Sequence, residues 1–439
     1  MKYVEQIKSF LLVFLVFLSV ALTLIIWNYQ PDYELIEETQ VEEVLIGDQK
    51  QWQDVLKPYR VLFRENDAFT GTVSNGVLNE LYRNFITWQV QDVKLYNNIS
   101  DPKMNEIINK NNRATLFFNE EIPMQSFSNV LPFVEKDQLD MSFNRLIIDW
   151  SNAEEQDQLQ LLFLNTEKRL LLQGYVNLAS GQRFLTQVIQ PSKNYTSYVE
   201  VERDSLHSLY VPQGTFEATK YTYLIDGFLP ESFKNIVFPD PSIVQLNVEN
   251  EQSVRYTDGT SLMTVDTQNR ILNYVYPPAE SIAPIPSSKL LLDSFEFVND
   301  HGGFTSDFRL SSMNIGKHIM EYQLFLHGYP VYSNMTTTRI ITTWGENRLF
   351  RYRRPYYSIE RDIPNERAVQ SLPSGEAVVE YLRNSKDYPF DEVDEIVVGY
   401  YLMQNPDSYI LDPSWFIISD NVWTRITPEQ IGGVMNGLE

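Results

Sequence analysis

Residues 347–355 read NRLFRYRRP, and residues 269–277 read NRILNYVYP. Both follow Asn-Arg-[Leu/Ile]-[Phe/Leu]-x-Tyr-x-x-Pro, 78 positions apart. Each sits behind a turn signal: Asp266 to Asn269 before the first, Gly345-Glu346-Asn347 before the second. Leu272, Tyr274 and Tyr276 alternate along the first copy, which puts them on one face of a strand whose side-chain period is two. Phe350 and Tyr352 take the places of Leu272 and Tyr274 in the second. The copies share an apolar alternation, and that is a packing pattern. The pair reads as duplicated scaffold.

The flanks repeat as well. Asp258-Gly259 is a hairpin signal ahead of the first copy, and VYSNMTTTRIITTW precedes the second. Downstream of the first, Pro286-Ser287-Ser288-Lys289 opens the run LLLDSFEFVND, and Gly302-Gly303 closes it. Downstream of the second, Pro373-Ser374-Gly375-Glu376 opens AVVEYLRNSK. A serine before an apolar run is a helix N-cap signal. The two Pro-Ser marks lie 87 apart, so the second linker is nine residues longer. Strand-like runs follow each helix, IMEYQLFLHGYPVYS and EIVVGYYLMQNPDSYILDPSWFIIS. The expected module is hairpin, helix, strands, present twice in series, each unit a curved antiparallel sheet with a helix.

Ahead of these units, residues 45–200 mix both periods. GVLNELYRNFITW carries Leu78, Leu81, Tyr82 and Phe85 at helical spacing, and MNEIINKNN also reads as a helix, closed by Asn111 and Asn112. ATLFFN, FNRLIIDW, LQLLFLN and KRLLLQGYVNL read as strands. The N-terminus holds FLLVFLVFLSVALTLIIW at 10–27, 18 residues without a charge. As a helix it would span roughly 27 Å, close to a bilayer core. Lys2 and Lys8 precede it, and Asp32, Glu34, Glu37 and Glu38 follow. That asymmetry puts the N-terminus in the cytoplasm and the bulk outside. The run exits through Ile26-Trp27-Asn28-Tyr29-Gln30, without the small-residue pair of a cleavage site, and is read as an uncleaved anchor. The expected layout is 1–9 cytoplasmic, 10–29 transmembrane anchor, 30–44 tether, then α+β domains at 45–200, 201–299 and 300–439, the last two resembling each other.

Composition narrows the chemistry. A net charge of −23 repels nucleic acid and anionic lipid headgroups. With no cysteine there is no disulfide, thiolate nucleophile or Cys-based metal site. Ser100-Asp-Pro-Lys103 has the S-x-x-K spacing of some acyl-transfer enzymes, but the partner motifs are absent and Ser-Asp-Pro is also a helix-entry signal. His207, His301, His318 and His327 show no metal-ligand spacing. No catalytic residue, cofactor or metal is nominated, and the chain is read as a non-enzyme that acts by binding. Two features are candidate partner contacts. Arg348, Arg351, Arg353 and Arg354 form a basic knot in an acidic chain. It is either a contact for an acidic partner or phosphate-bearing wall polymer, or a solvated strand face. The first copy keeps only Arg270 of these charges, so the shared fold does not require them. Ser19 and Thr23 lie four apart on one face of the apolar run, with Ala21 nearby, a spacing that permits close helix packing in lipid.

The segments KNIVFPDPSIVQ, VRYTDGTSLMTV and ILNYVYP resemble the YycH family, at Phe238 to Ser242, Tyr256 to Gly259 and Leu272 to Pro277. LFFNEEIPMQSF and FNRLIIDW in the first region are similar to it too, so the likeness runs along essentially the whole chain. The resemblance implies a regulatory accessory protein of the YycFG (WalRK) two-component system of low-GC Gram-positive bacteria, which controls cell-wall metabolism. It implies one anchor, three outer domains, the later two sharing a fold related to YycI, and a sensor histidine kinase (YycG/WalK-like) and a YycI-like membrane protein as partners. It carries no catalytic residues. The alternatives are an anchored wall hydrolase and an anchored binding protein for a wall or lipid ligand.

Overall fold

The computed structural model describes residues 10–20, 22–23, 45–135, 140–203, 207–359, 361–386, 388–405 and 408–431. Residues 10–20 and 22–23 are helical with exposed side chains. No helix among the described residues is long and apolar enough to cross a membrane. The remainder of the expected anchor and the 30–44 tether lie outside the described residues, as do residues 1–9.

Residues 44–439 form one compact unit. Its first sheet contains β1 (Arg60–Glu65), β2 (Ala68–Thr72), β3 (Gln91–Tyr96), β4 (Arg113–Pro123), β5 (Ser142–Asp149), β6 (Gln158–Asn165), β7 (Leu170–Asn177), β8 (Thr196–Val201) and β9 (Leu209–Pro212). They run in the order β3-β7-β6-β5-β4-β1-β2-β8-β9, and neighbours are antiparallel. The central strands have near-continuous apolar sequences because both faces are covered. In β5, Leu146 and Ile148 enter the same core cluster as Leu78, Leu81 and Phe85 of helix α1 (Asn75–Phe85). Ile147 enters a second cluster with Met104, Ile107 and Ile108 of helix α2 (Asp101–Ile108). α1 follows the periodicity read from the sequence; α2 starts earlier than expected and closes at Asn109, short of Asn111 and Asn112, with Ser100 as its N-cap and Lys103 paired to Glu106 at 2.8 Å. The sheet reaches Pro212, past the expected boundary at 200.

The second sheet is built from β10 (Phe216–Leu224), β12 (Gln245–Asn250), β13 (Ser253–Thr257), β14 (Leu262–Asp266), β15 (Ile271–Val275), β16 (Asp307–Asn314), β17 (Ile319–Leu326), β18 (Tyr329–Tyr332), β19 (Arg339–Trp344), β20 (Leu349–Pro355), β22 (Ala368–Leu372), β23 (Glu395–Gln404), β24 (Ser408–Ser419) and β25 (Val422–Ile426). A separate short ladder joins β11 (Asp226–Gly227) to β21 (Tyr357–Ser358). The second sheet runs β12-β13-β14-β15-β20-β19-β17-β18-β23-β24-β10-β22, with β16 on β17 and β25 on β24. Helices α3 (Pro230–Val237), α4 (Ser287–Asp300) and α5 (Gly375–Asn384) accompany it.

The signals read as turns are turns. Asp258 Oδ1 accepts from the Thr260 and Ser261 amides at 2.8 and 2.6 Å, and Gly259 has φ +89°. Asp266 Oδ1 accepts from the Asn269 amide at 2.8 Å. After α4, Gly302 has φ +66° and the Gly303 amide reaches back to the Val298 carbonyl at 2.7 Å, closing the helix.

The repeat is arranged differently from the serial order expected. Each helix belongs with the strands that follow it: α3 with the meander β12 to β15, and α4 with β16, β17, β19 and β20. The two meanders are joined edge to edge by the repeated strands themselves. β15 pairs antiparallel with β20, Tyr274 directly opposite Tyr352. These two tyrosines are equivalent in the repeat, so a local two-fold axis passes between them. Leu272, Tyr274, Phe350 and Tyr352 are all buried, and a single sheet crosses the expected boundary at 299/300. That boundary falls on the last turn of α4.

Tyr352→Ala should destabilise the protein by about 3–5 kcal/mol, the range for truncating a buried aromatic. Asn273→Ala, on the outer face of the same ladder, should change it by no more than about 0.5 kcal/mol. Urea unfolding followed by tryptophan fluorescence measures both; equal effects would place the wrong face inward.

Candidate functional site

Strand alternation divides the four arginines. On β20, Arg351 and Arg353 point outward and are exposed, while Tyr352 and Arg354 point inward. Arg353 lies between Asn273 and Ile341, and Arg351 between Val275 and Thr343, on the outer face of the joined sheet. Arg348 is exposed in the preceding turn, its Nη1 3.5 Å from the Tyr276 hydroxyl. Arg354 does not belong to this surface. Its side chain has 0% exposure, and it donates to the Pro355 carbonyl at 2.9 Å and to the Tyr352 and Thr305 hydroxyls at 3.1 Å each. Its guanidinium carbon also lies 4.8 Å from the Phe233 ring centre. It is a core cation solvated by hydroxyls, a carbonyl and a ring face. The knot seen in sequence is thus a surface group of Arg348, Arg351 and Arg353 and a separate buried one.

Ser19 and Thr23 share a helical face, and the Thr23 hydroxyl donates to the Ser19 carbonyl at 2.8 Å. The hydroxyl is satisfied inside its own helix, so the contribution left to a neighbouring helix is small size and close approach.

A larger feature had no local sequence signal. A cleft of about 610 Å³ opens between the first sheet and the β18, β23 and β24 strands. On its wall Glu395 of β23 is held by Arg60 Nη2 at 2.9 Å, by Arg145 Nη2 at 3.1 Å and by the Tyr59 hydroxyl at 2.6 Å. The two guanidinium carbons each lie 4.5 Å from the Phe117 ring centre, and Arg60 also donates to the Tyr210 carbonyl at 2.9 Å. Burial alone would push the Glu395 carboxyl up; the two arginines and the tyrosine outweigh it and hold the carboxyl below its usual range. Glu120, at the end of β4, is the opposite case. Burial pushes it up to about 7, although it accepts from the Met313 amide at 2.8 Å and the Glu121 amide at 2.7 Å. His207 lines the cleft, and burial, with Arg145 nearby, pushes its imidazole down to about 4. A carboxylate fixed between two guanidinium groups is a poor base, so the arrangement suits binding and joining of the two sheets.

The other histidines are engaged separately. His327 stacks on Tyr221 at 4.1 Å and meets the Tyr223 hydroxyl at 2.9 Å, His318 Nδ1 lies 3.2 Å from the Trp344 carbonyl, and His301 packs edge-on to Phe297. Among the described residues no group of three or more His, Asp or Glu side chains converges as a metal site.

The Glu120 shift has a pH signature. Its folded value lies above that of an unfolded glutamate, so its contribution to stability is complete below about pH 4.5 and lost as pH rises through about 7. Relative to Glu120→Gln, the wild type should lose on the order of 2–3 kcal/mol between pH 4.5 and 8. Unfolding midpoints of both proteins across that range check the sign. A wild type that gains on the variant as pH rises would contradict the burial of this carboxyl.

Residues 5–188 match the family profile described as YycH protein, N-terminal domain, and residues 206–431 match YycH protein, C-terminal domain. The two-component system WalR/WalK regulatory protein YycH of Bacillus subtilis (strain 168) is 21% identical over 459 aligned residues, covering 99% of each chain. The crystal structure of YycH from Bacillus subtilis has the same fold, with a TM-score of 0.76 at 18% identity, over 88% of this chain and 100% of that one. Together the two profiles cover most of the chain, and the chain belongs to the YycH family.

Proposed function

We propose that this protein is a membrane-anchored, extracytoplasmic regulator of a sensor histidine kinase that controls cell-wall metabolism. The observation that carries the reading is end-to-end similarity, over 99% of both chains, to a protein named as a WalR/WalK regulator. The charge-free run at 10–27, with Lys2 and Lys8 before it and acidic residues after it, supports a single anchor with the N-terminus in the cytoplasm. In this reading the anchor packs against the kinase's transmembrane helices through the Ser19–Thr23 face. It acts only if it binds the kinase's two signalling states unequally, since equal contact shifts nothing. The outer body engages a YycI-like membrane protein, with Arg348, Arg351 and Arg353 as contacts for acidic groups. No catalytic step is assigned to it.

The cleft beside Glu395 favours a second reading, an anchored binding protein for a wall or lipid ligand with no signalling role. That reading makes the anchor a passive tether, so an anchor exchange separates the two.

Residues 10–27 replaced by an unrelated apolar helix of equal length, with Lys2, Lys8 and the outer body kept, should abolish kinase co-purification. The same exchange should change a reporter under the response regulator, with the protein still at the membrane. Unchanged co-purification and output would move recognition to the outer body. A kinase that never co-purifies even with the native anchor would sink the regulatory reading.

A further inference from the structure

The two meanders are equivalent, but their outer edges are not treated alike. The first strand of the second meander is β16, and the first sheet covers it. Phe308 and Leu310 are 3% and 4% exposed, Glu120 takes the Met313 amide, and Arg309 Nη1 donates to the Pro58 carbonyl at 2.9 Å. The equivalent strand of the first meander is β12, an end of the sheet path, and among the described residues no strand pairs with its outer edge. Both of its faces are exposed, with Leu246 at 56% and Val248 at 62%. They lie opposite Tyr256 and Val254, on the face that α3 covers further in, where Phe238 packs on Tyr274. An open strand edge with alternate apolar residues is a template for pairing with another strand.

The edge itself indicates what pairs with it. Residues 244–248 read Val-Gln-Leu-Asn-Val. By residue type this is the same in both directions: apolar, neutral polar, apolar, neutral polar, apolar. Placed antiparallel on a second copy and centred on Leu246, it sets Val244 opposite Val248, Gln245 opposite Asn247, and Leu246 opposite itself. No charge meets a like charge, although the chain carries −23. The nearest carboxylate, Glu249, is held by Arg255 at 2.7 Å, and a register shift beyond Val248 ends regular pairing there. A two-fold contact requires a patch that complements itself, and this strand does. We propose that the β12 edge is a homodimer interface, two copies pairing β12 to β12 antiparallel about Leu246.

The chain has no cysteine, so one introduced thiol reports a single position. Leu246→Cys in the full-length protein, in detergent micelles under mild oxidation, should give a disulfide-linked dimer. Opposed residues of antiparallel strands lie about 4.5–5.5 Å apart at Cα, within disulfide reach. Val369→Cys, on exposed β22 at the far end of the sheet path, should give no disulfide-linked dimer while still sedimenting as the non-covalent one. Val248→Lys should sediment as monomer, with the unfolding midpoint of wild type diluted until it too is monomeric. A wild type that sediments as monomer at every concentration overturns the proposal. So does a dimer that survives Val248→Lys without cross-linking at 246, or a different protein found seated on this edge.

Discussion

The antiparallel pairing of β15 with β20 is the constraint on which the second half of the molecule depends. It sets Tyr274 against Tyr352 and fuses two four-stranded meanders into one sheet. An isolated four-stranded meander with one helix has little apolar area to bury and would leave both edge strands open. Joining the copies at their last strands removes two edges at once. The helix-side face then becomes continuous: Met263, Leu272, Tyr274, Tyr352 and Phe304 belong to one core cluster with Leu290 and Val298 of α4. The buried Arg354 sits beside that seam, and its cost is met by the Tyr352 and Thr305 hydroxyls, the Pro355 carbonyl and the Phe233 ring.

The first sheet is tied to this body by polar contacts of long sequence separation. Glu395 binds Arg60 and Arg145, and Arg309 reaches Pro58 and Asn75. Trp52 stacks on Phe295 of α4 at 3.9 Å. A carboxylate between two arginines fixes direction as well as distance, and removing Glu395 would leave both buried guanidinium groups without their counter-charge.

Much of the fold was legible where the information is local. Asp258-Gly259, Asp266 to Asn269 and Gly302-Gly303 specify turns through their own side chains or lack of them, and each turned as read. The apolar alternation at Leu272, Tyr274, Phe350 and Tyr352 gave the buried face. Sequence order misled where partnership is not local. The helix opening at Ser287 follows the first hairpin in the chain, yet it packs with the strands after it. The arginine group looked contiguous because sequence reading ignores the pleat, which sends Arg354 into the core. The Glu395 site had no sequence signal at all, since Tyr59, Arg60, Arg145 and Glu395 meet only after both sheets are formed.

Residues 271–275 and 349–355 form one seam, and the two meanders one cooperative body. Native-state hydrogen exchange on the full chain tests this most directly. Amides of both strands should exchange among the slowest and with the same opening free energy, because one opening event exposes both. If the 271–275 amides exchange through a separate, lower-energy opening while 349–355 stay protected, the copies are independent units and the seam does not join them.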